Sequence, residues 1–218
     1  MLTFAAAMAL LDSAGIEVAP FHLVPGDAAS TPPASAPPFA GPYVVKLADV
    51  PHRTELGAVL AGVASAELPA AIGLLRERAR VHQVPDLVVI QPQLAGHGEA
   101  FIGLTGQSEL GPLVAFGIGG VLVEVLGRVA GRLAPLTRAA ARELVSEFDE
   151  LGIIDGLRGQ PGWNRDRVEE LLVRAGSLIA AGRNWIGTLD INPLIVTELG
   201  LIAVDAACFA SGGPAADS

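Results

Sequence analysis

Leu189-Asp190-Ile191-Asn192-Pro193-Leu194-Ile195-Val196, followed after three residues by Gly200-Leu201-Ile202-Ala203-Val204-Asp205, decides how this chain is read. Branched apolar residues fill both halves, which predicts a hairpin: Ile186 to Val196, a turn near Glu198, then Leu201 to Ala207. With a two-residue turn centred on Glu198 and Leu199, cross-strand partners keep a constant index sum, so Asn192 falls opposite Asp205. Opposed residues share a face, with Cβ atoms about 4.5–5.5 Å apart. Asp190 falls on that face too, two positions along. Pro193 removes a main-chain donor beside Asn192, which predicts an edge strand or a bulge there.

One face thereby gathers two carboxylates and an amide oxygen in otherwise apolar strands. Hard oxygen donors in that number suit Mg²⁺, which takes one or two protein carboxylates and leaves the rest to water and phosphate. The same spacing fits a plainer reading, in which Asp190 and Asp205 close strand ends and Asn192 opens a turn before proline.

The chain has 218 residues, 51% hydrophobic and 17% charged, enough for one large domain or two small lobes sharing a cleft. Its net charge of -9 repels a phosphate backbone, and no basic stripe offsets it, so nucleic acid is not an expected partner. An anionic ligand would need local devices: main-chain N–H groups, one or two cations, or a metal. Cys208 is the only cysteine, which excludes an internal disulfide and a cysteine-based zinc site. Met1 to Leu11 is apolar but has no positive leading region, and reads as a helix rather than a signal peptide. Leu110 to Leu126 carries Glu124, a proline and several glycines, which argues against a membrane span. A cytoplasmic protein with no membrane partner is expected.

Periodicity predicts helices over 3–14 (closed by Gly15), 68–82, 137–150 and 165–181. Strands are expected over 16–24, 43–47, 57–63, 87–93, 99–105, 111–117 and 120–126. The Pro-rich segment 25–42 reads as an irregular connection. Strands in sequence with interspersed helices suggest an α+β fold rather than a regular βαβ alternation.

Lys46 ends the apolar run Tyr43-Val44-Val45, where a lysine either snorkels to solvent or turns its ammonium toward a phosphate. His52-Arg53-Thr54-Glu55-Leu56-Gly57 follows, a loop able to hold phosphoryl oxygens, in which imidazole can accept a phosphoryl group; a loop histidine is also often merely solvated. Gly117-Ile118-Gly119-Gly120 lets backbone approach a ligand or makes a tight turn between strands, and the turn is the favoured reading. It matches neither phosphate-binding helix motif. Gln91-Pro92 ends a strand just before Gly96-His97-Gly98-Glu99, where main-chain groups could meet an adenine edge and Glu99 a ribose or metal.

In this order, the fragments resemble the ATP-grasp domain of the ADP-forming (NDP-forming) acyl-CoA synthetases, with more distant similarity to the β subunit of succinyl-CoA synthetase. Besides Leu189–Leu194, the resemblance rests on Phe116-Gly117-Ile118-Gly119-Gly120 leading to Glu124. It also rests on Arg132-Leu133-Ala134-Pro135-Leu136, Leu157-Arg158-Gly159 and Val204-Asp205-Ala206. It implies one ATP-grasp domain over 1–218, with lobes near 15–93 and 94–210 enclosing a nucleotide cleft and a flexible tail at 211–218. It further implies an acid–thiol ligase that works with ATP or ADP and Mg²⁺. Lys46 would contact ATP phosphates, and Arg53, Gly57, Gln91 and Glu99 would lie at the nucleotide. Asn192 and Asp205 would hold Mg²⁺, and His52 would handle or relay a phosphoryl group. A CoA-binding subunit or domain is the implied partner, and a homo-oligomer is compatible with the reading.

This sequence departs from the family at several places. Arg53 stands for a usual Lys, Ala58 for a second Gly, Gly106-Gln107 for a common Arg-Asp pair, Arg128 for an Asp, and Thr188 for a frequent acidic residue. These losses support an alternative, a diverged non-catalytic module for nucleotide sensing or assembly. A stand-alone carboxylate–amine ligase shares the fold but not these segments.

Overall fold

The computed structural model describes residues 1–26, 37–50, 56–119, 129–149, 152, 154–156 and 161–212. Along the chain they form α1 (Phe4–Ser13), β1 (His22–Pro25), β2 (Tyr43–Leu47), β3 (Val59–Val63), α2 (Leu68–His82), β4 (Leu87–Pro92), β5 (Gly98–Thr105), β6 (Leu113–Ile118) and β7 (Ala130–Leu133). There follow α3 (Arg138–Phe148), α4 (Arg165–Gly182), β8 (Ile186–Thr197), β9 (Gly200–Ala203) and β10 (Ala207–Ala210). The result is the α+β class expected from the sequence. The chain divides into two compact units, Ala19–Leu94 and Met1–Val18 together with Ala95–Ser218.

The unit Ala19–Leu94 holds an antiparallel sheet of order β1-β4-β2-β3. Pro69 sits in the first turn of α2, where its missing N–H costs nothing. Leu68, Ala71, Ile72, Leu75 and Ala79 repeat at three- and four-residue steps and form its buried stripe. That stripe joins Tyr43, Val45, Leu47, Val88 and Ile90 in one core. Each fully buried Leu or Ile contributes about 1.5–3 kcal/mol relative to exposure. Strand alternation then turns Val44, Lys46, Val89 and Gln91 to the face away from α2. On it Val44 lies opposite Gln91, and Lys46 opposite Val89.

The other unit holds a sheet of order β10-β8-β5-β6-β7, with β9 beside β8. Thr3, Thr137 and Asn164 cap α1, α3 and α4 by accepting main-chain N–H groups at 3.3, 3.2 and 3.2 Å. These caps satisfy donors that a helix start leaves unpaired. α4 packs on β5 and β6, and α3 on β7. Buried Glu169 of α4 ties the two helices together, accepting from Nε of Arg138 at 3.1 Å and Nε of Arg142 at 3.2 Å. Leu2 donates to the carbonyl of Cys208 at 2.8 Å, covering the exposed edge of β10.

Several expectations are corrected. The strand predicted over 16–24 is confined to β1, with Val18 making only an isolated bridge to Ala203. Gly117 and Ile118 lie inside β6, which runs to Ile118, and Gly120, where the glycine turn would close, lies outside the described residues. The return strand of the C-terminal hairpin is broken at 204–206 into β9 and β10. β7 was not anticipated. The strand expected over 120–126 and most of the 211–218 tail lie outside the described residues.

Candidate functional site

β8 carries the decisive feature. Against β10 and β9 its register keeps one index sum, from Thr188 opposite Phe209 to Thr197 opposite Gly200. Against β5 the register shifts between Ala100 and Ile102, since Ala100 faces Leu194 while Ile102 faces Ile191. The extra residue belongs to β8, at Asn192-Pro193; of the edge strand or bulge that Pro193 predicted, the bulge is found, because β8 lies between β10 and β5. A bulge exchanges the two faces of a strand. Before it, Thr188, Asp190 and Asn192 are exposed while Leu189 and Ile191 are buried; after it, Leu194 and Val196 are buried.

Inside the break of the return strand, the N–H of Asn192 donates to the carbonyl of Asp205 at 3.3 Å, and that of Val204 to the carbonyl of Pro193 at 3.2 Å. Asn192 and Asp205 are therefore paired as the sequence predicted. Oδ1 of Asp205 accepts the N–H of Ala206 at 2.8 Å, which orients the carboxylate.

Asp190 lies opposite Ala207 on one side and Gly103 on the other; Gly103 faces Ala115, and Ala115 faces Gly131. Directly opposed residues share a face, so one row across five strands holds a single large side chain, Asp190, among glycines and alanines. Glu99, four residues before Gly103 on β5, falls on the same face and is exposed. Glu99, Asp190, Asn192 and Asp205 are thus brought to one face of this sheet, while Ile102, Leu104, Leu189 and Ile191 fill the other. Solvent still reaches Asp190, yet desolvation by surrounding protein pushes its carboxyl above the ordinary range, and a side-chain hydrogen bond from Asn192 opposes the push.

In the unit Ala19–Leu94, Lys46 is 4% and Gln91 2% exposed. They are diagonal neighbours on the face away from α2, a pairing typically about 7–8 Å apart. Nε2 of Gln91 is buried with no hydrogen-bond acceptor among the described residues. Gly57 takes φ +59°, and its carbonyl accepts from Nη1 of Arg78 on α2. His52 and Arg53 lie outside the described residues. Sequence reasoning counted Asp190 among the oxygen donors suited to Mg²⁺, while the resemblance assigned the metal to Asn192 and Asp205 alone; it overlooked Arg78, for which only a helix-face arginine was visible.

The family model for the ATP-grasp domain matches residues 1–209. Acetate–CoA ligase [ADP-forming] I of Archaeoglobus fulgidus is 32% identical over 205 residues, 90% of this chain and 29% of that protein. The β subunit of acetate–CoA ligase [ADP-forming] I of Pyrococcus furiosus is 32% identical over 172 residues, 76% of this chain and 73% of that one. This chain therefore spans less than a third of the length of the Archaeoglobus ligase.

Among solved structures, the dinucleotide-forming acetyl-coenzyme A synthetase 1 of Ca. Korarchaeum cryptofilum, in complex with coenzyme A, Ca-AMPCP and HgCl+, superposes with a TM-score of 0.87 at 26% identity. That match covers 96% of this chain and 93% of that one. The same synthetase with coenzyme A and Mg-AMPPCP, its phosphohistidine segment pointing towards the nucleotide-binding site, gives 0.78 at 27% identity, covering 96% and 92%.

Proposed function

This chain belongs to the ATP-grasp family, and from that membership we propose that it is the ATP-binding, Mg²⁺-dependent part of an ADP-forming acyl-CoA synthetase. The observation that carries the reading is the single sheet face bearing Glu99, Asp190, Asn192 and Asp205 over a row of glycines and alanines. One carboxylate and one carboxamide paired across a strand break fit Mg²⁺, which prefers few protein ligands and several phosphate or water oxygens. When bound, the metal would supply positive charge to offset that of the nucleotide phosphates.

The chain's own residues take the remaining tasks. Asn192 and Asp205 hold the cation by their side-chain oxygens. Glu99 meets the ribose or the metal-nucleotide. Lys46 brings a compact positive charge to the phosphates, and Gln91 offers its buried carboxamide to the base. Arg53 and Gly57 serve the phosphate loop. His52 handles the phosphoryl group: the bond from the γ-phosphorus to ADP breaks as a bond to a histidine nitrogen forms. Such transfer depends on positioning and charge neutralisation more than on covalent chemistry from the protein.

The acyl step needs coenzyme A and a carboxylic acid, so a CoA-binding subunit or domain is the proposed partner. A cytoplasmic location is part of the same proposal, since ATP and coenzyme A are its proposed substrates. Separately, no helix among the described residues is long and apolar enough to cross a membrane.

The test is isothermal titration with a non-hydrolysable ATP analogue, with and without Mg²⁺. Metal-dependent binding is expected, and the reading fails if binding survives unchanged when Lys46 and Asp205 are both replaced by Ala.

A second reading, a non-catalytic nucleotide-binding module, is favoured by one observation. At Gly106, where the family commonly has Arg, a Cβ would stand 2.0 Å from the carbonyl oxygen of Ile186. The two readings separate on phosphoryl transfer, measured with the CoA-binding partner present.

A further inference from the structure

Resting on the reading above, in which Glu99 meets the nucleotide, we infer that Gly119 is a positioning residue for Glu99. By carrying no side chain it lets Glu99 lie against the end of β6, and so sets where the carboxylate stands over the site face. The stretch Phe116-Gly117-Ile118-Gly119 alternates large residues with glycine. Phe116 and Ile118 belong to the buried core, and alternation turns Gly117 and Gly119 to the face that holds the oxygen donors. The proposed function gives these glycines no task.

Ala100 pairs with Ile118, so the next pair in that register is Glu99 with Gly119. The N–H of Gly119 donates to the carbonyl of Glu99 at 2.7 Å. Directly opposed Cβ atoms ordinarily stand about 4.5–5.5 Å apart. A Cβ on Gly119 would instead stand 3.1 Å from Cβ of Glu99, 3.1 Å from its carbonyl carbon and 3.2 Å from N of Ala100. Glu99 therefore fills space that a side chain at 119 would take. Gly119 is not at positive φ, so space and not backbone conformation demands a glycine there.

The main chain at Glu99 has little room to retreat. Glu99 faces Ile195 of β8 on its other edge. Gly98 points to the opposite face, where Nε1 of the buried Trp163 lies 3.0 Å from where its Cβ would stand. A methyl group at 119 would thus displace Glu99 itself, and a displacement at Cβ grows along the side chain. Binding groups need to be held within about 0.5 Å of their productive geometry. The competing idea is that Gly119 only lets β5 and β6 close together, with no bearing on the carboxylate.

The experiment is isothermal titration of the full chain with a non-hydrolysable ATP analogue in Mg²⁺. Wild type, Gly119→Ala, Glu99→Ala and the double variant form a cycle, with Glu99→Asp as a fifth protein. Glu99→Ala is expected to weaken binding about 10-fold or more, as a hydrogen bond to a charged group is lost. Gly119→Ala should weaken it about 5-fold or more by misplacing that group. Glu99→Asp, which draws the carboxylate back with Gly119 intact, should lose about as much.

The decisive reading is coupling. Glu99→Ala keeps the crowded Cβ but removes the carboxylate, so in that background Gly119→Ala should cost less than about 2-fold. An equal loss in both backgrounds overturns the inference and makes Gly119 a packing residue for β5 and β6. Wild-type affinity in Gly119→Ala overturns it as well. Thermal unfolding midpoints check the fold; should Gly119→Ala not fold, Glu99→Asp still decides, since wild-type affinity there would mean that the carboxylate's position does not matter. If Glu99→Ala binds as well as wild type, the Glu99 reading falls first, an outcome distinct from the others.

Discussion

The main-chain N–H of Asn192 donates to the carbonyl oxygen of Asp205 at 3.3 Å, across a gap where the return strand leaves its ladder. The pairing puts an amide and a carboxylate on one face, while the ladder on either side keeps both strands in the same register. Two donors held by backbone need little reordering when a cation arrives. Asn192→Ala and Asp205→Ala should each weaken Mg²⁺-dependent nucleotide binding by about 10-fold or more, since a ligand contributes no less than the group behind it. Titration in Mg²⁺ and in EDTA measures this; equal affinity in both media for wild type would remove the metal from the site.

Gly106 explains one departure from the family in physical terms. Its N–H donates to the carbonyl of Gly187 at 2.9 Å, and an added Cβ would meet the Ile186 carbonyl oxygen at 2.0 Å. Backbone cannot yield as a flexible side chain can. Introducing the family's residue, Gly106→Arg, should destabilise the chain by about 1–3 kcal/mol or more. Urea unfolding decides: an unchanged midpoint would show that β5 and β8 can part at that point.

Arg78 ties α2 to the stem that follows the 51–55 loop. Its Nη1 donates to the carbonyl of Gly57, and lies 3.2 Å from where a Cβ of that residue would stand. Gly57 is also at φ +59°, which costs an L-residue about 1–2 kcal/mol. Arg78→Ala should lose about 1.5–3 kcal/mol as a charge-assisted bond goes, and Gly57→Ala about 1–2 kcal/mol. Stability measured by chemical denaturation should show the double variant losing less than the two singles together, because both act on one contact.

What was legible in the sequence was what local chemistry dictates. The stripe of α2 and the strand Tyr43–Leu47 follow from apolar spacing, and the bulge follows from a proline that cannot donate. Asn192 opposite Asp205 needed only the turn length. β7 could not be read, since Ala130-Gly131-Arg132-Leu133 has no β-branched residue and is a strand only because Leu113–Phe116 pair with it. The break at 204–206 was equally hidden, since the apolar run Leu201 to Val204 gives no sign of it. The row of small residues beside Asp190 exists only once five strands are set in register. Arg78 and Gly57 are 21 positions apart, and no spacing rule connects them.

Arg165 sets up a pH test. Its Nε lies 2.8 Å from Oδ1 of Asp155, and its Nη2 bonds the buried carboxylate of Asp149. The hydrogen bond from Arg165 holds the Asp155 carboxyl below its ordinary value. A depressed folded-state value means stability present above the ordinary Asp pKa of about 3.9 and lost as pH falls through the folded value. Arg165→Gln should move the Asp155 titration upward in carbon NMR. The stability gap between the two proteins should narrow as pH drops below that ordinary value. An unmoved Asp155 titration would mean that the guanidinium is not what holds it.

Gln91 gives the prediction with two opposite signs. Its Nε2 is buried without an acceptor among the described residues, on the sheet face it shares with Lys46. An unsatisfied buried amide costs the folded chain about 1–3 kcal/mol, a debt that a bound nucleotide base would cancel by accepting from it. Gln91→Met keeps the length and removes the amide, so the free chain should become more stable by about 1 kcal/mol. Nucleotide affinity should fall at the same time by about 5- to 10-fold, the lost hydrogen bond expressed as binding. Lys46→Met should weaken affinity further, by about 10- to 100-fold, because its bond to phosphate is charge-assisted. Thermal unfolding with and without the ATP analogue reads both quantities in one series. A Gln91→Met chain that is less stable when free would mean the amide is already satisfied, and one that binds as well as wild type would take the base away from this position.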